Sequence, residues 1–373
     1  MVSHEAHKQQ DQDNSRQLAL SYMPQLDGLR ALAVTIVVVT HFLPAHPDVN
    51  VHAVACVHLF FVLSGYLITL ILLKCRDDMM HKQASLREVM AKFYVRRVLR
   101  IFPVYYAALI GVSLTAAAPT DHMLWHYLYL SNFLFWWIND MVPPLSHFWT
   151  LGVEEQFYML WPIMVLLCPV KRLSHLCVLA ILTAPAFRLA GEFAGLSDIG
   201  RFILPLSCLD KLGIGALLAV LRWEGREAII ERFMPSAGMV GGVLTVLCFA
   251  ADYFGFRLGP YTGIQLCHLP HALLSVWMVD RAAKGSFGGL FGSMLSCSPA
   301  LFIGRISYGI YVYHFLMLGV TGWMIQQGWI ANQASVVFVV ALTLTMVTSV
   351  ISWYCMERPL VSLKARYDYH RKQ

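Results

Sequence analysis

SHFWTLGVEEQFYMLWPI, residues 146–163, sets two adjacent carboxylates, Glu154 and Glu155, inside a run of aromatic and aliphatic residues that continues to Val170. An apolar stretch of that length reads as a spanning helix. Two acids at its entrance are costly in hydrocarbon, and an ionisable residue inside a membrane marks a functional site by default. A salt bridge to a neighbouring helix or a reach to the interface is the plainer reading. Scarcity of charge in the other apolar segments favours function.

Outward from that stretch the composition agrees. The chain has 373 residues, 58% hydrophobic and 13% charged, with a mean hydropathy of +0.58, whereas soluble domains carry roughly 25% charged residues. The expected fold is all-α: a polytopic membrane bundle of about ten transmembrane helices of ~20 residues each. The formal charge of +6 is no nucleic-acid signal, because the basic residues lie between apolar runs and read as topology determinants. The nine cysteines are scattered without metal-type spacing, which suggests buried, reduced thiols. The polar start and the late first apolar run do not resemble a cleavable signal peptide.

In chain order, residues 1–22 read as a disordered cytoplasmic tail, 23–358 as the transmembrane domain and 359–373 as a basic cytoplasmic tail. The expected spans are 28–44, 53–73, 101–118, 150–169, 176–190, 203–221, 236–251, 262–279, 301–325 and 334–355, with a basic connection at 74–100 and an aromatic outer loop at 119–149. With this layout all but four of the 28 Lys and Arg residues (Arg188, Arg201, Lys211 and Arg257) fall on the side that holds both termini. By the positive-inside rule both termini are cytoplasmic. No internal or inverted repeat of the transporter kind is visible.

Within the spans, Arg30 and His41 are eleven residues apart, a spacing that returns to nearly the same helix face about 16 Å further along. Asp27, one turn before Arg30, is placed to orient it. By this layout Glu154 and Glu155 lie at a depth similar to His41, and a carboxylate beside an imidazole is a general-base arrangement. Arg96, Arg97 and Arg100 cluster where the chain re-enters the membrane, either as positive-inside anchors or as a phosphate site, since guanidinium forks match phosphate oxygens. Arg305 could join them. GRISYGIYVYH, residues 304–314, adds Ser307, Tyr308, Tyr311 and His314 on one helix, with a core histidine bonded to a neighbour as the alternative for His314. Asp210 and Lys211 read as a structural pair. His268 and His271 flank Pro270, where a kink suits better than a metal site. The Ser64-Gly65 pair reads as a close helix contact.

Together LDGLRALAV, VVTHF, FFVLSGYLIT, RRVLRIFPVYY, HFWTLGVEEQFYMLWP, GRISYGIYVYH and the terminal ERP resemble acyltransferase family 3, in the family's order and over nearly the whole chain. The family's Arg-x10-His motif falls on Arg30 and His41, and its Arg-x-x-Arg motif on Arg97 and Arg100. Its WSLSVEEQFY signature is here WTLGVEEQFY, so no hydroxyl is needed at position 152. The resemblance implies a bacterial inner-membrane O-acyltransferase with acetyl-CoA as cytoplasmic donor, no metal, and a lipid-linked or exported glycan as acceptor. On that reading His41, oriented by Glu154 or Glu155, is the base, Arg30, Arg97 and Arg100 meet the CoA pyrophosphate, and an acyl-enzyme on Tyr308, Ser307 or His41 stays open. Some members append a periplasmic SGNH hydrolase domain, whereas this chain stops about eighteen residues after the tenth span. Completion within the membrane or by a partner is therefore expected. A small-solute transporter, or a non-catalytic partner of a polysaccharide synthase, is the rival class.

Overall fold

Backbone polar groups in hydrocarbon must be satisfied within their own segment, and the described residues contain helices and no strand. The computed structural model describes residues 22–43, 51–82, 84–115, 120–254 and 262–363; of the two expected tails, 1–22 and 359–373, residues 1–21 and 364–373 lie outside them. In order come α1 (Pro24–Phe42), α2 (Val51–Lys82), α3 (Leu86–Thr115), the short α4 (Met123–Tyr127) and α5 (Ser131–Ile138), and α6 (Phe148–Leu167). There follow α7 (Val170–Phe193), α8 (Asp198–Ile203), α9 (Pro205–Trp223), α10 (Glu227–Tyr253) and α11 (Thr262–Ala283). The chain closes with α12 (Gly289–Ser296), α13 (Ser298–Gln326), α14 (Ala334–Ser352), a π-turn (Trp353–Glu357) and α15 (Arg358–Ser362).

Among the described residues eight helices are long and apolar enough to cross a membrane, against the ten expected. The remaining two expected spans fall on α6 and α11, of 20 and 22 residues. Polar side chains dilute both: Glu154, Glu155 and Gln156 in α6, and Gln265, His268, His271 and Asp280 in α11. Elsewhere the helices exceed the expected spans. α7 and α10 run 24 and 27 residues through Pro185 and Pro235, since a helix in the membrane re-satisfies the carbonyl that proline frees. The basic connection at 74–100 is also mostly helical, with α2 running to Lys82 and α3 beginning at Leu86. Ser85 Oγ accepts from the Glu88 N–H at 3.2 Å and Lys92 reaches Glu88 at 2.7 Å, a capping side chain followed by an i,i+4 pair.

α2 packs against α9, α13 against α1 and α14, and α10 against α11. The α2–α9 contact is close because of glycine. A Cβ at Gly65 would fall on the Leu212 carbonyl, and one at Gly215 on the Val62 carbonyl, the small-residue mode of packing in membranes. Five of the nine free cysteines are buried, as expected, but Cys297 and Cys355 are exposed; both stand at helix junctions.

Candidate functional site

A cavity of about 540 Å³ runs between α1, α2, α3, α6 and α13. Tyr22 and Lys74 line one end, where α1 begins and α2 approaches its end; Thr150 and Tyr311 are among its linings on α6 and α13. Arg30, Arg96, Arg97 and Arg100 face it together with Glu154, Glu155, Ser307 and Tyr308. The structure therefore gathers most of the residues singled out in the sequence on one wall-to-wall site. Arg30 is held by Asp27 at 2.8 Å, and Arg97 lies over the Tyr158 ring at 5.2 Å. Arg305 is not brought in: it sits about a turn nearer the start of α13 than Tyr308, is exposed, and does not line the cavity.

Glu154 is organised by a group that the sequence reading gave only a packing role. Ser64 Oγ donates to Glu154 Oε1 at 2.5 Å and accepts from the Tyr158 hydroxyl at 3.0 Å. Gly65 makes the close helix contact; Ser64 serves the acid. Three guanidinium groups, of Arg97, Arg30 and Arg100, act on the same carboxylate through space. Glu155 keeps Oε1 buried and, among the described residues, without a hydrogen-bond partner.

Among the described residues no hydrogen bond or ion pair joins His41 to either acid. Its Nδ1 lies 3.1 Å from Nε2 of His314, the rings only 17° from parallel and 5.2 Å between centroids. Glu154 is bonded to Ser64, while His41 is drawn into an imidazole cluster with His314 and His147. His314 is fully buried and its Nδ1 lies 2.6 Å from the Tyr311 carbonyl. His147 stands 4.8 Å from the His314 ring, bonds the Val312 carbonyl through Nε2 at 3.2 Å, and leaves Nδ1 buried without a partner. In the sequence, the one signal for His147 is its position at the mouth of an apolar helix.

Thr150 and Tyr311 stand between cavity and cluster. Thr150 reaches the His147 carbonyl at 3.0 Å, the Thr150 and Tyr311 hydroxyls share a bond at 2.8 Å, and the Tyr311 hydroxyl lies 3.4 Å from the same carbonyl. Tyr311 thus lines the cavity with its side chain and holds His314 with its carbonyl.

Other buried polar residues build a separate cross-link. Arg188 and Lys211 each bond Asp210 at 2.8 Å, Lys211 reaches His268 Nδ1 at 2.6 Å, and His58 pairs with His271 at 3.2 Å. This ties α7, α9, α11 and α2 together. Among the described residues no group of three or more His, Cys, Asp or Glu is placed to hold a metal. A further buried acid is Glu357, within the π-turn, bonded by Ser352 at 3.3 Å.

Residues 23–354 match the family described as an acyltransferase domain. The chain belongs to acyltransferase family 3. This acyltransferase is 28% identical to the peptidoglycan O-acetyltransferase OatA of Listeria monocytogenes, over 80% of the chain and 50% of that protein. It is 26% identical to the putative peptidoglycan O-acetyltransferase YrhL of Bacillus subtilis, over 91% of the chain and 55% of the relative. With the O-acetyltransferase OatA of Staphylococcus aureus it shares 25% identity over 91% of the chain and 57% of the relative. The chain spans about half the length of these curated relatives. No solved structure matches the acyltransferase.

Proposed function

We propose that the chain is a membrane O-acetyltransferase that moves an acetyl group from cytoplasmic acetyl-CoA to a hydroxyl of a cell-surface or exported glycan. The observation that carries this reading is the single cavity faced by Arg30, Arg97, Arg100 and Glu154, in a chain of acyltransferase family 3. Guanidinium groups suit the phosphates of the donor. A cavity of this size suits the pantetheine arm, which would carry the thioester toward Thr150 and Tyr311. The relatives' names support an O-acetyl product on a glycan, and peptidoglycan is the acceptor those names mention.

In this reading α6 and α11 complete ten spans in the bacterial inner membrane, with both termini cytoplasmic and residues 23–358 as the transferase domain. Cavity-facing polar groups offset the loss of hydropathy in α6, as intramembrane acids do when they face a bundle interior. His41 takes the proton of the acceptor hydroxyl as its oxygen bonds to the acetyl carbon. The carbon–sulfur electron pair leaves with the CoA sulfur, and His41 returns the proton to that thiolate. Free base and neutral protein are restored.

The test is the ester content of the surface polysaccharide, read by proton NMR in cells lacking the chain and in cells restored with wild type or His41→Ala. The O-acetyl signal is expected to vanish on deletion and to return only with wild type. Unchanged acetylation on deletion, with no acetyl-CoA binding by the purified protein, would remove the proposal in favour of a transporter.

A further inference from the structure

The imidazole pair fixes its own proton positions. The Tyr311 main-chain carbonyl can only accept a hydrogen bond, so His314 Nδ1, 2.6 Å away, carries a proton. Neutral His314 then has a bare Nε2. That nitrogen faces His41 Nδ1 at 3.1 Å, and two bare nitrogens cannot bond, so His41 must donate from Nδ1. The near-parallel rings, 17° apart with centroids at 5.2 Å, are compatible with an N–H···N bond between two imidazoles. Among the described residues no hydrogen bond engages Nε2 of His41.

We infer that His314, anchored on the Tyr311 carbonyl, is a positioning residue that locks His41 in the Nδ1–H tautomer and leaves Nε2 as its free base. The inference rests on His41 being the base of the proposed transfer. His314 occupies the place a carboxylate holds in a hydrolytic triad, where the acid sets the tautomer and stabilises the imidazolium. A neutral imidazole supplies the first service and only weakly the second. It takes part of the positive charge by sharing the Nδ1 proton across the 3.1 Å bond. The proton collected at Nε2 from the acceptor hydroxyl is therefore held loosely and passed on to the departing thiolate, rather than stored as in an Asp–His pair.

His147 completes the lock without joining the bond. Its Nε2–H is committed to the Val312 carbonyl at 3.2 Å, and its ring stands at 65° to His314 and 22° from parallel with Phe315, at 5.1 Å. His41 in turn packs on Phe315 at 4.6 Å. Phe315, between His41 and His147, limits rotation of both rings.

The experiment is nitrogen-15 NMR of the purified full chain with labelled histidine, the His41 signals being assigned by their loss in His41→Gln. Wild type is expected to show proton-bearing Nδ1 and bare Nε2 at His41. In His314→Leu the lock is gone, and His41 is expected to return to the Nε2–H form that free imidazole side chains prefer. Turnover should then fall by about 10²–10³-fold, less than the ~10⁴ lost when a triad tautomer is reversed, with KM for acetyl-CoA within about threefold because cavity residues are untouched. His314→Gln, whose amide oxygen can accept from His41 Nδ1–H, should recover at least about tenfold of that loss, which a merely space-filling role would not produce. Wild-type His41 carrying its proton on Nε2, or a folded His314→Leu variant within threefold of wild-type turnover, overturns the inference. If the Leu variant does not fold, the wild-type tautomer and the Gln variant still decide it. A fully active His41→Ala would instead end the base assignment itself, so the two failures are distinct.

Discussion

Ser64 is a small residue with a large electrostatic neighbour. It gives its only proton to Glu154 and takes one from Tyr158, so replacing it strips a half-buried carboxylate of that donor. A hydrogen bond to a charged group contributes about 1.5–3 kcal/mol. Ser64→Ala is accordingly expected to lower acetyl transfer by about tenfold or more in membranes, with the protein still folded because Gly65 makes the helix contact. Wild-type rates in that variant would leave Glu154 without need of its partner. Arg100→Ala should act differently, raising KM for acetyl-CoA by about 10–100-fold through loss of a charge-assisted contact. Arg100→Lys is expected to recover only part of it, since an ammonium lacks the planar fork. At this scale the sequence was informative about type and poor about pairing. The arginines and acids stand out as charges in apolar runs, and they do share a cavity. That His41 chooses His314, 273 positions away, depends on how α1 and α13 cross, and no local spacing encodes a crossing.

At the scale of elements, the α2–α9 seam is where the bundle tolerates least. Leucine at Gly65 would press a side chain into the Leu212 carbonyl, and valine at Gly215 into Val62. Overpacking of this kind costs about 1–3 kcal/mol, and here it meets backbone rather than a movable side chain. Gly65→Leu is expected to reduce the yield of monodisperse protein in detergent and its melting temperature, while Gly242→Leu, with nothing within 4 Å of its Cβ, should leave both unchanged. Equal behaviour of the two would refute the seam. Helix existence was readable from apolar runs, since ten such runs coincide with helices. Helix length was not. The apolar runs suggested short spans for α7 and α10, and charge suggested a connection at 74–100. Neither signal stops a helix whose backbone bonds have no water to compete with them, or one whose charged turn is stapled by Glu88 and Lys92.

For the whole molecule, the distribution of Lys and Arg is the argument for orientation. On the proposed orientation the exposed Cys297, between α12 and α13, lies on the cytoplasmic side. A variant retaining only that cysteine should react with a membrane-impermeant maleimide in inside-out vesicles and not in right-side-out ones. The reverse labelling would invert the topology and, with it, the side from which the donor enters.

The thin layer formed by Thr150 and Tyr311 has an electrical consequence. A charged membrane drops its voltage across whatever insulates it, at about 2.3 kcal/mol per elementary charge per 100 mV. Were the arginine-lined chamber filled with conducting water from the cytoplasm, most of that drop would fall across this layer and the imidazoles behind it. In the proposed reaction, a proton moving between His41 and a sulfur in the chamber would then travel along the field, and the rate of the proposed transfer would respond to the energised state of the cell.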